Sequence, residues 1–207
     1  MHIDPADHSA ADNYKVFTNV VVPRPIAWVT SVGESGLVNL APFSFFNAVA
    51  SDPTMYVAVG VGRRGDGSPK DTARNIEHGR DFVVNLVTEE LLQAMNISAA
   101  DFPPDHSEII AAGLNAAPSI KVRAPRLAEA AVSLECRLFQ SLPLGGSTLF
   151  VGEVVMFHIA DRLVGPRLHI EGFAPLGRLG SPSLYCRTTD RFELPRIAYA
   201  DWQKRQS

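Results

Sequence analysis

Between Pro25 and Val59 the apolar residues come in short runs separated by turn formers: IAWVTSV, the glycines at 33 and 36, LVNLAPFSFFNAVA, then Asp52-Pro53 and TMYVAVGV. Runs of this length, rich in β-branched and aromatic residues, predict strands, and the turns between them predict an antiparallel meander. The pattern then changes. GRRGDGSPKDT is a loop dense in Gly, Ser and Pro, and DTARNIEHG predicts a helix of about two turns stopped by Gly79. RDFVVNLV returns to β. Thr88 is placed to cap a helix over EELLQAMN, with Glu89 and Glu90 favourable to its dipole, and DFPPDHSEIIAAG predicts a short helix ending at Gly113.

The later half is again β. In AVSLECRLFQSL, Val132, Leu134, Cys136 and Leu138 fall on one face and Ser133, Glu135 and Arg137 on the other. LGGS makes a turn, and TLFVGEVVMFHIAD is apolar on both faces, which predicts a central strand. The sum is a β-rich barrel with a few short peripheral helices, its tail from Pro182 onward packing over the barrel or over a partner subunit.

Composition narrows the class. The 207 residues suit a single domain spanning 1–207, and 46% hydrophobic with 20% charged residues is ordinary for a globular protein. A formal net charge of -3 leaves no surplus of Lys and Arg for neutralising nucleic acid or an anionic membrane. The N-terminal MHIDPADHSA has no apolar signal region, so the cytoplasm is the expected location. Cys136 and Cys186 form no CxxC pair, and the six histidines show no metal-binding spacing, so neither a disulfide framework nor a metal site is expected. No GxGxxG opens a helix directly after a strand, the GVGRRG run at 60–65 leading instead into a loop, and there is no P-loop and no GxSxG, which removes support for a Rossmann fold, an NTPase or an α/β-hydrolase.

Three stretches carry candidate chemistry. SPKDTARN, residues 68–75, puts Lys70, Asp71 and Thr72 at a helix N-terminus, whose free N–H groups and partial positive charge attract phosphate, with Arg63 and Arg64 just upstream. The same residues also suit a plain cap, Asp71 or Thr72 closing the helix and Lys70 lying in solvent. NLAPFSFFN, residues 39–47, sets Phe43, Phe45 and Phe46 beside Asn39, Ser44 and Asn47. Pro42 removes a ladder donor there, so this is an edge strand or an interrupted one whose backbone groups are free for a flat heteroaromatic ring. RPIAWVTS ends an apolar strand on the hydroxyls of Thr30 and Ser31, which taken alone mean no more than a turn.

Taken in order, RPIAWVTSVGESGLVNLAPFSFFNAVASDPTMYVAVG, SPKDTARNI, DFVVNL, VGEVVMFHIAD and PLGRLGSPSLY resemble the flavin reductase-like family of FMN-binding split barrels, over roughly Val20 to Tyr185. The resemblance implies a mainly β, six-stranded antiparallel split barrel with short peripheral helices, a homodimer, and FMN held noncovalently, FAD being the alternative flavin. It implies a phosphate loop of Lys70, Asp71 and Thr72, with Arg63 adding charge and Asn47 close by, and a ring site along Thr30, Ser31, Ala41, Pro42, Phe43 and Ser44. Asp71 repels phosphate and is expected to brace the loop or touch the ribityl chain. The activity implied is hydride transfer from NADH or NADPH to FMN, with no side chain obliged to act as acid or base. His158 and His169 are candidates for nicotinamide contact, and Arg178 and Tyr185 for closing the site. A flavin-carrying electron-transfer protein and a non-enzymatic flavin or small-ligand module are the alternatives, and a monooxygenase or other redox protein is the expected macromolecular partner. Residues 186–207 read as a C-terminal extension, a dimer arm or a lid.

Overall fold

The computed structural model describes residues 1–103 and 105–205, so Pro104 in the loop before the predicted third helix, and the last two residues of the tail, lie outside it. The core is one antiparallel sheet. Its strands are β1 (Ala27–Val32), β2 (Val38–Phe43), β3 (Phe46–Ala50), β4 (Tyr56–Gly62), β5 (Asp81–Leu86), β6 (Val132–Leu144) and β7 (Ser147–Ile159). They are ordered β2-β1-β5-β6-β7-β4-β3, seven strands rather than the six expected. The extra strand arises within LVNLAPFSFFNAVA, which breaks at Ser44–Phe45 into two strands that occupy opposite ends of the sheet. That two-residue crossing joins the edges of the curled sheet, and the Gly60 N–H donates to the Phe45 carbonyl at 2.7 Å to secure it. The result is the split barrel.

β6 and β7 form the long central hairpin, turning at Gly145 with φ of +55°. Two register shifts in this ladder, at Val151/Gly152 and Val154/Met156, let it bend around the barrel. Gly152 is required by close approach: a Cβ there would stand 2.5 Å from the Phe82 ring. Inside the barrel, Val29, Val59, Phe82, Val84 and Phe150 have no exposed surface, each contributing about 1.5–3 kcal/mol by burial. A second apolar cluster lies outside it, where Trp28 and Leu40 meet Met95, Ile109 and Leu127.

The helices cover the ends and flank. α1 (Ala10–Val20) starts at Ser9, whose hydroxyl accepts the Asp12 N–H at 3.1 Å. α2 (Asp71–Gly79) packs on β1, and its chain reversal is made by Arg80 in the left-handed region, one residue beyond the expected Gly79 stop. α3 (Leu92–Ser98) follows a turn of 3-10 helix begun at Thr88, whose side chain makes no cap bond, and α4 (Glu108–Ala111) ends just before Gly113. Three two-residue strands, Arg24–Pro25, Gly177–Arg178 and Tyr185–Cys186, pair beside α1. The tail is tied down as far as Arg191, which donates to the Phe173 carbonyl, then runs out to α5 (Tyr199–Lys204) with Phe192, Leu194 and Tyr199 exposed. No helix among the described residues is long and apolar enough to cross a membrane.

Candidate functional site

Two adjoining clefts run along the outer side of edge strand β2. One, of ≈ 70 Å³, is bounded by Asn39, Ala41, Pro42, Arg64, Lys70, Asp71, Thr72, the 98–102 segment and Glu108. The other, of ≈ 190 Å³, is bounded by Tyr14, Thr18, Arg24, Ile26, Pro42, Phe43, Ser44, Met95, Ala99, Arg178 to Ser181 and Tyr185. They share Pro42 and Ala99, so together they form one groove. Pro42 can sit on β2 because an edge strand needs no second set of ladder bonds; it pairs only with Trp28 on β1.

The first cleft ends at the N-terminus of α2. Lys70 occupies the cap position without a capping bond, and its ammonium lies 5.9 Å from the centre of the Phe43 ring. Its carbonyl accepts the Ala73 and Arg74 N–H groups. Among the described residues the Asp71 and Thr72 N–H groups bond to no backbone carbonyl, as first-turn donors usually do not. The Asp71 carboxylate is held by the guanidiniums of Arg64 and Arg74, which neutralise it and fix the loop. Thr72 Oγ1 accepts from Asn39 Nδ2 at 2.9 Å, leaving its own proton free to be donated. Glu108, nearly buried, accepts the Leu40 N–H at 3.0 Å; its burial pushes the carboxyl pKa above the ordinary value, against the lowering effect of that bond.

The second cleft is floored by Arg24. Its guanidinium donates to the Thr18 and Val21 carbonyls, both at 2.7 Å, to Leu179 at 2.9 Å and to the Ser44 hydroxyl at 3.4 Å. This one side chain ties the end of α1 and the 177–186 hairpin to β2. Desolvation depresses its pKa, and the nearby charge of Arg178 acts in the same direction while Tyr14 opposes it. Arg178 lies over Tyr185, 4.7 Å from guanidinium carbon to ring centre.

Of the residues singled out in the sequence, Ala41, Pro42, Phe43, Ser44, Lys70, Asp71 and Thr72 are gathered along the groove, as are Arg178 and Tyr185. Thr30 and Ser31 are not. Both are fully buried, the Thr30 hydroxyl donating to the Pro125 carbonyl and the Ser31 hydroxyl accepting from Asn75 at 3.2 Å. Arg63 turns outward to the Gly67 carbonyl, at 3.1 Å, and its neighbour Arg64 enters the groove instead. Asn47 is exposed on β3, its side chain accepting the Ala48 N–H at 2.9 Å. His158 lies on β7, paired with Ser133 and bonded at 2.5 Å to buried Glu135, away from the groove lining, and His169 is exposed in the loop after β7. Asn39, noted in the 39–47 stretch, also lines the groove, and Tyr14, Thr18, Arg24, Met95 and Ala99 line it without having stood out in sequence; a Ser9 cap followed by Asp12 at the third helical position was the available signal for α1.

The model of the flavin reductase like domain matches residues 20–189. A protein of Deinococcus radiodurans with no described activity is 41% identical over 98% of this chain and 92% of its own. The crystal structure of nitrilotriacetate monooxygenase component B from Bacillus cereus superposes with a TM-score of 0.89 at 38% identity, covering 94% of this chain and 98% of that one. The 2-nitrobenzoate 2-nitroreductase of Pseudomonas fluorescens gives 0.87 at 34% identity, over 96% and 98%. The split barrel, the groove along its edge strand and these likenesses agree: the chain belongs to the flavin reductase-like family.

Proposed function

We propose that the groove binds FMN, with the phosphate at the N-terminus of α2 and the ring along Ala41, Pro42, Phe43 and Ser44, and that the protein is an NAD(P)H-dependent flavin oxidoreductase. The observation that carries this reading is the meeting, at Pro42 and Ala99, of a basic helix terminus with an aromatic-walled cleft. The residues present fit the group. Lys70, Arg64, the first-turn N–H groups and the free Thr72 proton are anion donors, Asp71 is already neutralised, and burial disfavours the charge on Glu108.

Bound there, the flavin would supply the hydride chemistry, accepting from a reduced nicotinamide. The chain's part is to hold and orient. Lys70 and Thr72 anchor one end, the free edge of β2 offers backbone groups to the ring, and the 177–186 hairpin with α1 walls the other side from water. The likeness to a monooxygenase component supports a partner oxygenase that consumes reduced flavin. A homodimer is supported by the large apolar side chains exposed on the far half of the hairpin and the β3 edge, Phe139, Leu142, Leu144 and Val49. The test is anaerobic addition of NADH or NADPH to the FMN-loaded protein. Prompt bleaching of the flavin band is expected with one of the two. A band that persists with both overturns the reductase reading in favour of an electron carrier.

A further inference from the structure

The Arg178 end of the groove holds two guanidinium groups and no carboxylate among its lining residues. Arg24 spends its donors on three carbonyls and a hydroxyl, so it is hydrogen-bonded but not neutralised. Arg178 is half-buried against Tyr185, and its guanidinium makes no hydrogen bond among the described residues. Two like charges sharing one cleft repel, and a planar donor fork left open in an aromatic-walled pocket matches a carboxylate on a flat ligand. Phe43, Tyr14, Met95 and Tyr185 supply the walls. We propose that this end is a seat for the carboxylate of a small aromatic acid, held by Arg178 with Arg24 adding long-range attraction. The seat does not rest on the oxidoreductase reading.

The test is isothermal titration of the flavin-loaded full chain with benzoate and with its neutral isostere benzamide. Benzoate is expected to bind at least about tenfold more tightly, the scale of one charge-assisted hydrogen bond. Arg178→Gln is expected to remove that preference and Arg178→Lys to keep part of it. Equal binding of the two ligands, no measurable benzoate binding, or an unchanged preference in Arg178→Gln overturns the proposal. Should the glutamine variant fail to fold, the ratio in the unmodified protein still decides. Inorganic phosphate displacing benzoate at lower concentration than benzoate itself requires overturns the carboxylate assignment and gives the seat to a phosphate-bearing ligand. FMN affinity, measured separately by fluorescence quenching, keeps the two readings apart: loss of flavin binding with the benzoate preference intact sinks the function and spares the seat.

Discussion

Replacing Lys70 and Thr72 together by alanine tests the proposed phosphate seat, because both line the cleft at that helix end. Lys70 makes no capping bond, and the Thr72 hydroxyl is engaged only as an acceptor for Asn39. A charge-assisted hydrogen bond is worth about 1.5–3 kcal/mol, and the half-exposed position of Lys70 lowers its share through solvent screening. The double variant is therefore expected to lose about 1–3 kcal/mol of FMN affinity, roughly a 5- to 150-fold rise in Kd by fluorescence titration. Riboflavin has the same ring and no phosphate, so its affinity should change little. Raising the salt concentration should weaken FMN binding in the unmodified protein more than in the variant. Equal losses for FMN and riboflavin, with the thermal melt unchanged, would refute the assignment of the phosphate to this helix end.

Other consequences follow from the packing and the buried polar groups. Gly152→Ala drives a Cβ into the Phe82 ring and against Cys136, and should cost about 1–3 kcal/mol in urea unfolding. Asn85 is fully buried, accepts the Leu127 N–H and the Ser133 hydroxyl, both at 2.9 Å, and donates to the Trp28 carbonyl at 3.0 Å. Asn85→Ala strands these groups at about 1–3 kcal/mol for each left unsatisfied, so a loss below ~1 kcal/mol in the same assay would contradict the network. Burial alone would raise the Glu135 carboxyl, but hydrogen bonds from His158 and from the Ile120 and Lys121 N–H groups outweigh it and hold the pKa below the ordinary value. The unfolded chain then takes up this proton first, so the stabilisation is present above about pH 4.3 and is lost as pH falls below it. Thermal melts from pH 6 downward should show a shallower acid loss in Glu135→Gln than in the unmodified protein.

The strands were legible because their apolar runs are short and bounded by turn formers, and the central position of β7 followed from its two apolar faces. The strand count was not, since nothing local says that the chain at Ser44–Phe45 crosses from one edge of a closed sheet to the other. Side-chain direction was equally hidden. Residues 63 and 64 differ by one position in an extended segment, which decides that Arg64 and not Arg63 turns to Asp71. Thr30 and Ser31 gave the same hydroxyl signal whether open or covered, and the covering groups, Pro125 and Asn75, come from 95 and 44 residues away. Arg24 looked like an ordinary residue before a proline, because its role comes from converging on three carbonyls, one of them 155 residues distant. That Lys70, Asp71 and Thr72 would stand together at a helix N-terminus was legible because the start of α2 is written locally.

The most direct test of the account is a crystal structure of the protein with FMN. It should show the phosphate within hydrogen-bond reach of Lys70 and the Asp71 and Thr72 N–H groups, and the ring against Ala41 to Ser44. A phosphate bound away from α2, or a ring lying off the edge of β2, would contradict it.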